Sequence, residues 1–280
     1  MSRVTRFAPS PTGHLHIGHA YSAIFAQNLA KNTNDQFLLR IEDIDTTRCR
    51  KEFEKGIFED LKWLGLEWIE PVRRQSEHLD DYLLAISILD EEKLIYPCFC
   101  TRAKIKEEIE RAGVAPHSYG EAVYPGICKR LTTAEREELI EKGHVPALRL
   151  DMTAAFRRTG VIEWRDYEKG KVRSDPRIHG DIVLARKDIK TSYHLSATID
   201  DHIQGVTLVT RGEDLEGVTD IHRLLQEILN LEEPEYLHHK ILKDKQGQKF
   251  SKRGRSTSIQ SLRTAGYTQP EILNMIKSKV

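Results

Sequence analysis

Apolar residues along the first hundred positions alternate between strand-like and helix-like spacing. Residues 4–8 predict a short strand, which Pro9-Ser10-Pro11-Thr12-Gly13 breaks. From residue 17 to about residue 31, Ile17, Ala20, Tyr21, Ile24 and Phe25 recur on one helical face. Residues 37–41 predict a second strand. Phe53, Ile57, Phe58 and Leu61 form another helical stripe, and Leu79, Tyr82, Leu83, Ile86 and Leu89 a third. This alternation predicts a parallel sheet covered by helices. Between 96 and 180 the pattern loosens around Pro116, Gly120, Pro125 and Gly126, which predicts an inserted subdomain. Strand signals return at 182–185, 193–195 and 206–209, followed by a helix over 218–229. The tail from Tyr236 is basic and turn-rich and ends in a short helix around 270–276. The expected layout is a split α/β nucleotide-binding fold, with halves at 1–95 and 181–235, an insertion at 96–180 and a basic segment at 236–280.

Composition narrows the class. Lys plus Arg and Asp plus Glu each number 43, so the 280-residue chain carries no formal net charge, which excludes a blanket basic surface. It leaves room for a local one: residues 240–263 hold eight Lys or Arg against Asp244 alone. No apolar run approaches the roughly 18 residues of a membrane helix. Met1-Ser2-Arg3-Val4-Thr5-Arg6 lacks the apolar stretch of an export signal, so a cytoplasmic protein without a membrane partner is expected. Four cysteines are too few for a disulfide scaffold, and clustered ones read as metal ligands or buried thiols.

The chemistry-bearing patterns are two. There is no G-x-x-x-x-G-K-[ST], no G-x-G-x-x-G and no G-x-S-x-G. Instead, Arg6 to His19 spans a strand-to-helix junction, where free N–H groups and the helix dipole suit a phosphate. Gly13 and Gly18 allow close approach to the backbone. His16 and His19, three apart, face one side of the first turn and offer two donors to charge building on phosphorus. Taken alone, they read sooner as two solvated histidines on a helix start. The second pattern, Lys249-Phe250-Ser251-Lys252-Arg253-Gly254, sets two lysines in a loop able to close over a polyphosphate, or to remain a solvated tail.

Together they resemble the paired HIGH and KMSKS signatures of class I aminoacyl-tRNA synthetases, here His16-Ile17-Gly18-His19 and Lys249-Phe250-Ser251-Lys252-Arg253. Arg6-Phe7-Ala8-Pro9-Ser10-Pro11-Thr12-Gly13, Arg40-Ile41-Glu42-Asp43-Ile44-Asp45 and Arg211-Gly212-Glu213-Asp214 resemble the glutamyl branch. The resemblance implies a Rossmann-like class I catalytic domain that makes glutamyl-adenylate from ATP and L-glutamate, with Mg2+ accompanying the ATP. It implies that Arg6 and Arg211 pair with glutamate carboxylates, that Glu42 receives the α-ammonium, and that Ala8, Ser10 and Tyr193 line the pocket. His16, His19 and Lys252 would act on ATP, with Lys249 a second candidate beside Lys252. Only residues 254–280 follow the lid motif, too few for an anticodon-binding domain. That outline is similar to the glutamyl-queuosine tRNA(Asp) synthetases, whose partner is tRNA(Asp) carrying queuosine, and a monomer is expected.

Cys98, Cys100 and Cys128 with the Tyr124 oxygen supply three thiolates and one oxygen for a structural zinc that would hold the insertion together. The spacing within each pair, including the tyrosine, resembles the ligand pairs of the queuosine-related family. The stretch between the pairs is longer than in that family, so His117, Tyr119 and His144 stand beside Tyr124 as candidates for the fourth position. Three buried unmetallated thiols are the alternative. Two enzymatic alternatives also stand: a compact glutamyl-tRNA synthetase charging a tRNA 3′ end, and a small-molecule nucleotidyltransferase. A non-catalytic tRNA-binding paralogue is disfavoured, because His16, His19 and Lys252 are all present.

Overall fold

A computed structural model describes residues 2–112, 123–242 and 257–279, with side chains described at 2–107, 123–242 and 257–279. The amino-terminal half runs β1 (Val4–Phe7), α1 (Ile17–Leu29), β2 (Gln36–Ile41), α2 (Lys51–Trp63), β3 (Ile69–Arg74) and α3 (Leu79–Glu91). The middle comprises β4 (Ile95–Cys98), α4 (Arg102–Ala112), α5 (Thr133–Glu141), β5 (Ala147–Leu150), α6 (Met152–Thr159), β6 (Ile162–Asp166) and β7 (Gly170–Ser174). The carboxy-terminal half runs β8 (Val183–Ala185), α7 (Tyr193–Ile203), β9 (Leu208–Gly212), α8 (Val218–Ile228), β10 (Glu235–His239), α9 (Ile259–Thr264) and α10 (Gln269–Lys277). No helix among the described residues is long and apolar enough to cross a membrane.

β1, β2 and β3 pair in parallel, as do β9, β10 and β6. The two sets abut where Thr207 N donates to the Val4 carbonyl at 3.0 Å and Val4 N donates to Thr207 Oγ1 at 2.9 Å. Chain order therefore reverses between β1 and β9, and their carboxyl ends open a crevice at that switch point. The core beneath it is apolar: Ile17, Ala20, Ala23 and Ala26 of α1 pack with Phe7, Phe37, Leu39 and Ile41 of the sheet. Full burial of each large apolar side chain contributes roughly 1.5–3 kcal/mol.

Three expectations change. Residues 193–195 are the first turn of α7, not a strand; Ser192 is its extended N-cap, and the buried face continues through Leu195, Ser196, Ile199 and Asp200. The edges of the 96–180 insertion do not divide the sheets, because β8 pairs with β5, and β6 with its antiparallel partner β7 extends from β10. β3 and β10 form where no strand was predicted. β3 buries only Val72, and β10 buries the adjacent Tyr236 and Leu237 together with His239, so neither carries an apolar alternation.

Candidate active site

At the carboxyl ends of β1 and β9 lies a cleft of about 550 Å³, lined among others by Arg6, Ala8, Ser10, His16, His19, Glu42, Tyr193 and Arg211. All eight described residues predicted for glutamate or ATP thus meet in one cavity. Lys249 and Lys252 lie outside the described residues.

His16 is the N-cap of α1. Its Nδ1 accepts from Gly18 N at 3.1 Å, while its own N–H donates to His19 Nδ1 at 3.2 Å, an arrangement in which the two rings close the helix start reciprocally. The rings stack with centroids 3.7 Å apart. With both Nδ1 atoms accepting, each neutral ring carries its proton on Nε2 as the donor. The predicted shared facing of the two imidazoles is what the helix start produces.

Below the cleft lies a buried ion network. Arg6 grips both oxygens of Asp201, at 2.9 and 3.2 Å, and donates to the Thr210 carbonyl at 3.0 Å. Arg40, 0% exposed, donates to Asp201 at 2.7 Å and to Glu42 at 3.2 Å, with Asp200 at 3.7 Å. Arg73 and Tyr82 hold Asp200 from the far side, at 2.7 and 2.9 Å. Burial pushes the Asp201 carboxyl up, but Arg6 and Arg40 more than offset it and hold it below its ordinary value. At Glu42 burial wins over Arg40 and Arg6, and its proton affinity rises. A ligand ammonium beside Glu42 would restore the charged carboxylate, which fits the role expected of it.

Arg211, buried at the end of β9, is held differently. Nη2 donates to Thr219 Oγ1 at 2.6 Å, Nη1 lies 3.3 Å from His222 Nδ1, and Nε donates to His238 Nε2 at 3.4 Å. The guanidinium sits 5.5 Å from the Tyr236 ring centroid. Burial, reinforced by the Arg211 charge, holds His222 well below its usual value and lowers His238 to about 4. Tyr193 closes the wall, its ring 5.4 Å from that of His222. Sequence reasoning missed Asp200, Asp201, Thr219, His222 and His238. Arg40 stands inside a family motif, but the sequence alone gave it no role.

The cysteines form a second centre. Cys98, Cys100 and Cys128 are buried with their sulfurs within 4.8 Å of one another. Tyr124 Oη lies 3.4 Å from Cys98 Sγ and 3.5 Å from Cys100 Sγ, and it accepts from Cys128 N at 2.8 Å. Burial raises the Cys100 thiol to about 11. Burial also works to raise Cys128, but hydrogen bonds led by the Phe99 N–H hold it below the ordinary thiol value. A closed S3O set of this size fits a tetrahedral ion with bonds of about 2.3 Å to sulfur. Of the alternative fourth ligands, His144 is exposed and outside the group, whereas His117 and Tyr119 lie outside the described residues. The knuckle is pinned to the body: Lys129 pairs with Asp151 at 2.7 Å and Asp181 at 3.2 Å, and Arg149 lies 3.9 Å from the Tyr124 ring centroid. Cys49 is half-buried and not part of this group.

A parallel sheet with a switch-point cleft, an H-x-G-H helix start and an arginine-lined pocket define the catalytic domain of a class I tRNA synthetase. Residues 3–278 match the family described as tRNA synthetases class I (E and Q), catalytic domain, and the chain belongs to it, a ligase-type enzyme. It is 41% identical to the glutamyl-Q tRNA(Asp) synthetase of Rhodobacter capsulatus, over 98% of this chain and 99% of that protein. It is 38% identical to the glutamate–tRNA ligase of Aquifex aeolicus, over 99% of this chain but 57% of that one. Among solved structures, the glutamate-tRNA synthetase of Elizabethkingia anophelis matches with a TM-score of 0.82 at 28% identity, covering 99% of this chain and 61% of that one.

Proposed function

We propose that this protein activates L-glutamate with ATP and transfers it to the queuosine base in the anticodon of tRNA(Asp). The observation that carries activation is the single cleft uniting Arg6, Glu42, Tyr193 and Arg211 with His16 and His19. A glutamate α-carboxylate oxygen attacks the α-phosphorus of ATP in line, forming glutamyl-adenylate and releasing pyrophosphate. Glu42 orients the ammonium, Arg6 and Arg211 orient the two carboxylates, and the imidazoles at the start of α1 donate to phosphate oxygens. Lys252, seconded by Lys249, holds the polyphosphate, and Mg2+ travels with it. The acceptor assignment is supported by the end-to-end match with the Rhodobacter capsulatus protein. The Aquifex aeolicus match favours the second reading, charging of a tRNA 3′ end.

Glutamate-dependent ATP–pyrophosphate exchange tests activation, with glutamine and aspartate expected to work much less well. Equal exchange with all three sinks the assignment. Labelled glutamate should then load tRNA(Asp) containing queuosine, not its unmodified transcript, and nuclease fragments prepared in mild acid should carry the label at the anticodon. Label on the 3′-terminal fragment would establish 3′-end charging instead.

We assign zinc to Cys98, Cys100, Cys128 and Tyr124, where a bound ion cross-links the knuckle. Elemental analysis of protein prepared without chelator should find about one zinc per chain, and Cys98→Ser should lower both the metal content and the melting temperature. Metal-free protein with an unchanged melting curve removes the site.

A further inference from the structure

Two buried arginines, Arg6 and Arg211, line the cleft and two more, Arg40 and Arg73, lie in the ion network below it; three of the four face acids: Arg6 faces Asp201, Arg40 faces Asp201 and Glu42, and Arg73 faces Asp200. Arg211 alone among them has no carboxylate partner within the described residues; its contacts run to Thr219, His222 and His238. These three are consistent as neutral acceptors. Arg211 Nη2 donates to Thr219 Oγ1, whose hydroxyl lies 3.1 Å from His238 Nε2 and shares that acceptor with Arg211 Nε. His222 Nδ1 accepts from Nη1, leaving its proton on Nε2; that atom and His238 Nδ1, which carries the other ring's proton, are buried with no hydrogen-bond partner among the described residues. Three of the five guanidinium N–H groups are thereby used, one on each nitrogen. One remains on each terminal nitrogen, the pair that an end-on carboxylate takes.

We propose that His222 and His238, together with Thr219, are specificity-determining residues: they position Arg211 through neutral acceptors only, so that its charge is left for the side-chain carboxylate of the bound amino acid. The proposal rests on glutamate activation as read above and explains why the amide is refused. Glutamine filling the same space would leave the guanidinium buried without a counter-charge, whereas glutamate neutralises it in a fork. An acid at position 222 would satisfy Arg211 internally and remove the reason to prefer a dicarboxylic amino acid. The histidines act through Arg211 and need not touch the ligand.

The test compares His222→Asp with His222→Asn. In both, Oδ1 falls two bonds from Cβ, as Nδ1 does, so each can accept from Arg211; only Asp brings charge. Pyrophosphate exchange is measured against glutamate and glutamine concentration, with far-UV circular dichroism as the check on folding. His222→Asp should raise the glutamate KM about tenfold or more, with a smaller change in kcat, and should reduce the glutamate-to-glutamine ratio of kcat/KM by a similar factor. His222→Asn should keep that ratio within about threefold of the parent, since a neutral acceptor is retained. If His222→Asp does not fold, His238→Glu and His238→Gln pose the same question from the Nε side, since Oε1 falls three bonds from Cβ as Nε2 does. Equal losses in the acid and amide variants, or an unchanged KM in the folded acid variant, overturn the proposal while leaving glutamate activation standing. A parent protein inactive with glutamate overturns activation itself, and this inference with it.

Discussion

Replacing Arg40 by methionine is expected to lower the free energy of unfolding at pH 7 by about 3–5 kcal/mol, the cost of breaking a buried ion pair from one side. Methionine roughly fills the space of the aliphatic stem, so the loss is electrostatic rather than a cavity. Burial works against the Arg40 charge, and Asp201, Glu42 and Asp200 together more than offset it. Without it, Asp201 keeps Arg6 and Asp200 keeps Arg73, but Glu42 loses the guanidinium that donates to it. Glu42, already raised by burial, loses its largest opposing charge, so its proton affinity rises further. A raised acid is satisfied at low pH and becomes costly as pH rises through its folded value, so the deficit of the variant should narrow as pH falls from 7 towards 5. Denaturant titrations of both proteins at the two pH values check this. A variant within about 1 kcal/mol of the parent at pH 7 would mean that the network relaxes around the gap.

This network also marks the limit of what the sequence reveals. The start of α1 was legible because an apolar stripe follows a Pro/Gly break, and the H-x-x-H spacing dictated that the rings meet. The cysteine pairs were legible because their short spacings leave the chain little choice of geometry. Asp200 and Asp201 were not, since residues 193–195 alternate apolar and polar for three positions and mimic a strand, while the two acids interrupt the helical stripe that would have corrected it. A buried charge obeys its partner, not a hydrophobic period, and the partners here lie far off in sequence: Arg6 and Arg40 reach Asp201 across 195 and 161 positions. His222 is hidden for a similar reason. It sits on the buried face of α8 between Ile221 and Leu224, where a histidine reads as core until Arg211 is seen beside it.

The contrast between Arg6 and Arg211 gives the remaining large effect. Arg211→Ala should reduce kcat/KM for glutamate in pyrophosphate exchange roughly 30- to 5,000-fold, the range for truncating one partner of a buried charge pair. Its effect on the ligand-free protein should be smaller than that of Arg6→Ala. Removing Arg6 leaves Asp201 with Arg40 as its remaining cation, whereas removing Arg211 strands no acid and relieves a buried charge that has no counter-ion among the described residues. Thermal melts of the three proteins, with and without glutamate, separate these roles. At a glutamate concentration near a hundred times the dissociation constant, binding should stabilise the parent by about 2.7 kcal/mol, and Arg211→Ala should lose that shift. Arg6→Ala should show the lower melting temperature of the two variants before any ligand is added. If Arg211→Ala melts below Arg6→Ala without ligand, or still responds to glutamate as the parent does, then Arg211 is a structural cation and the side-chain carboxylate must be held elsewhere in the cleft.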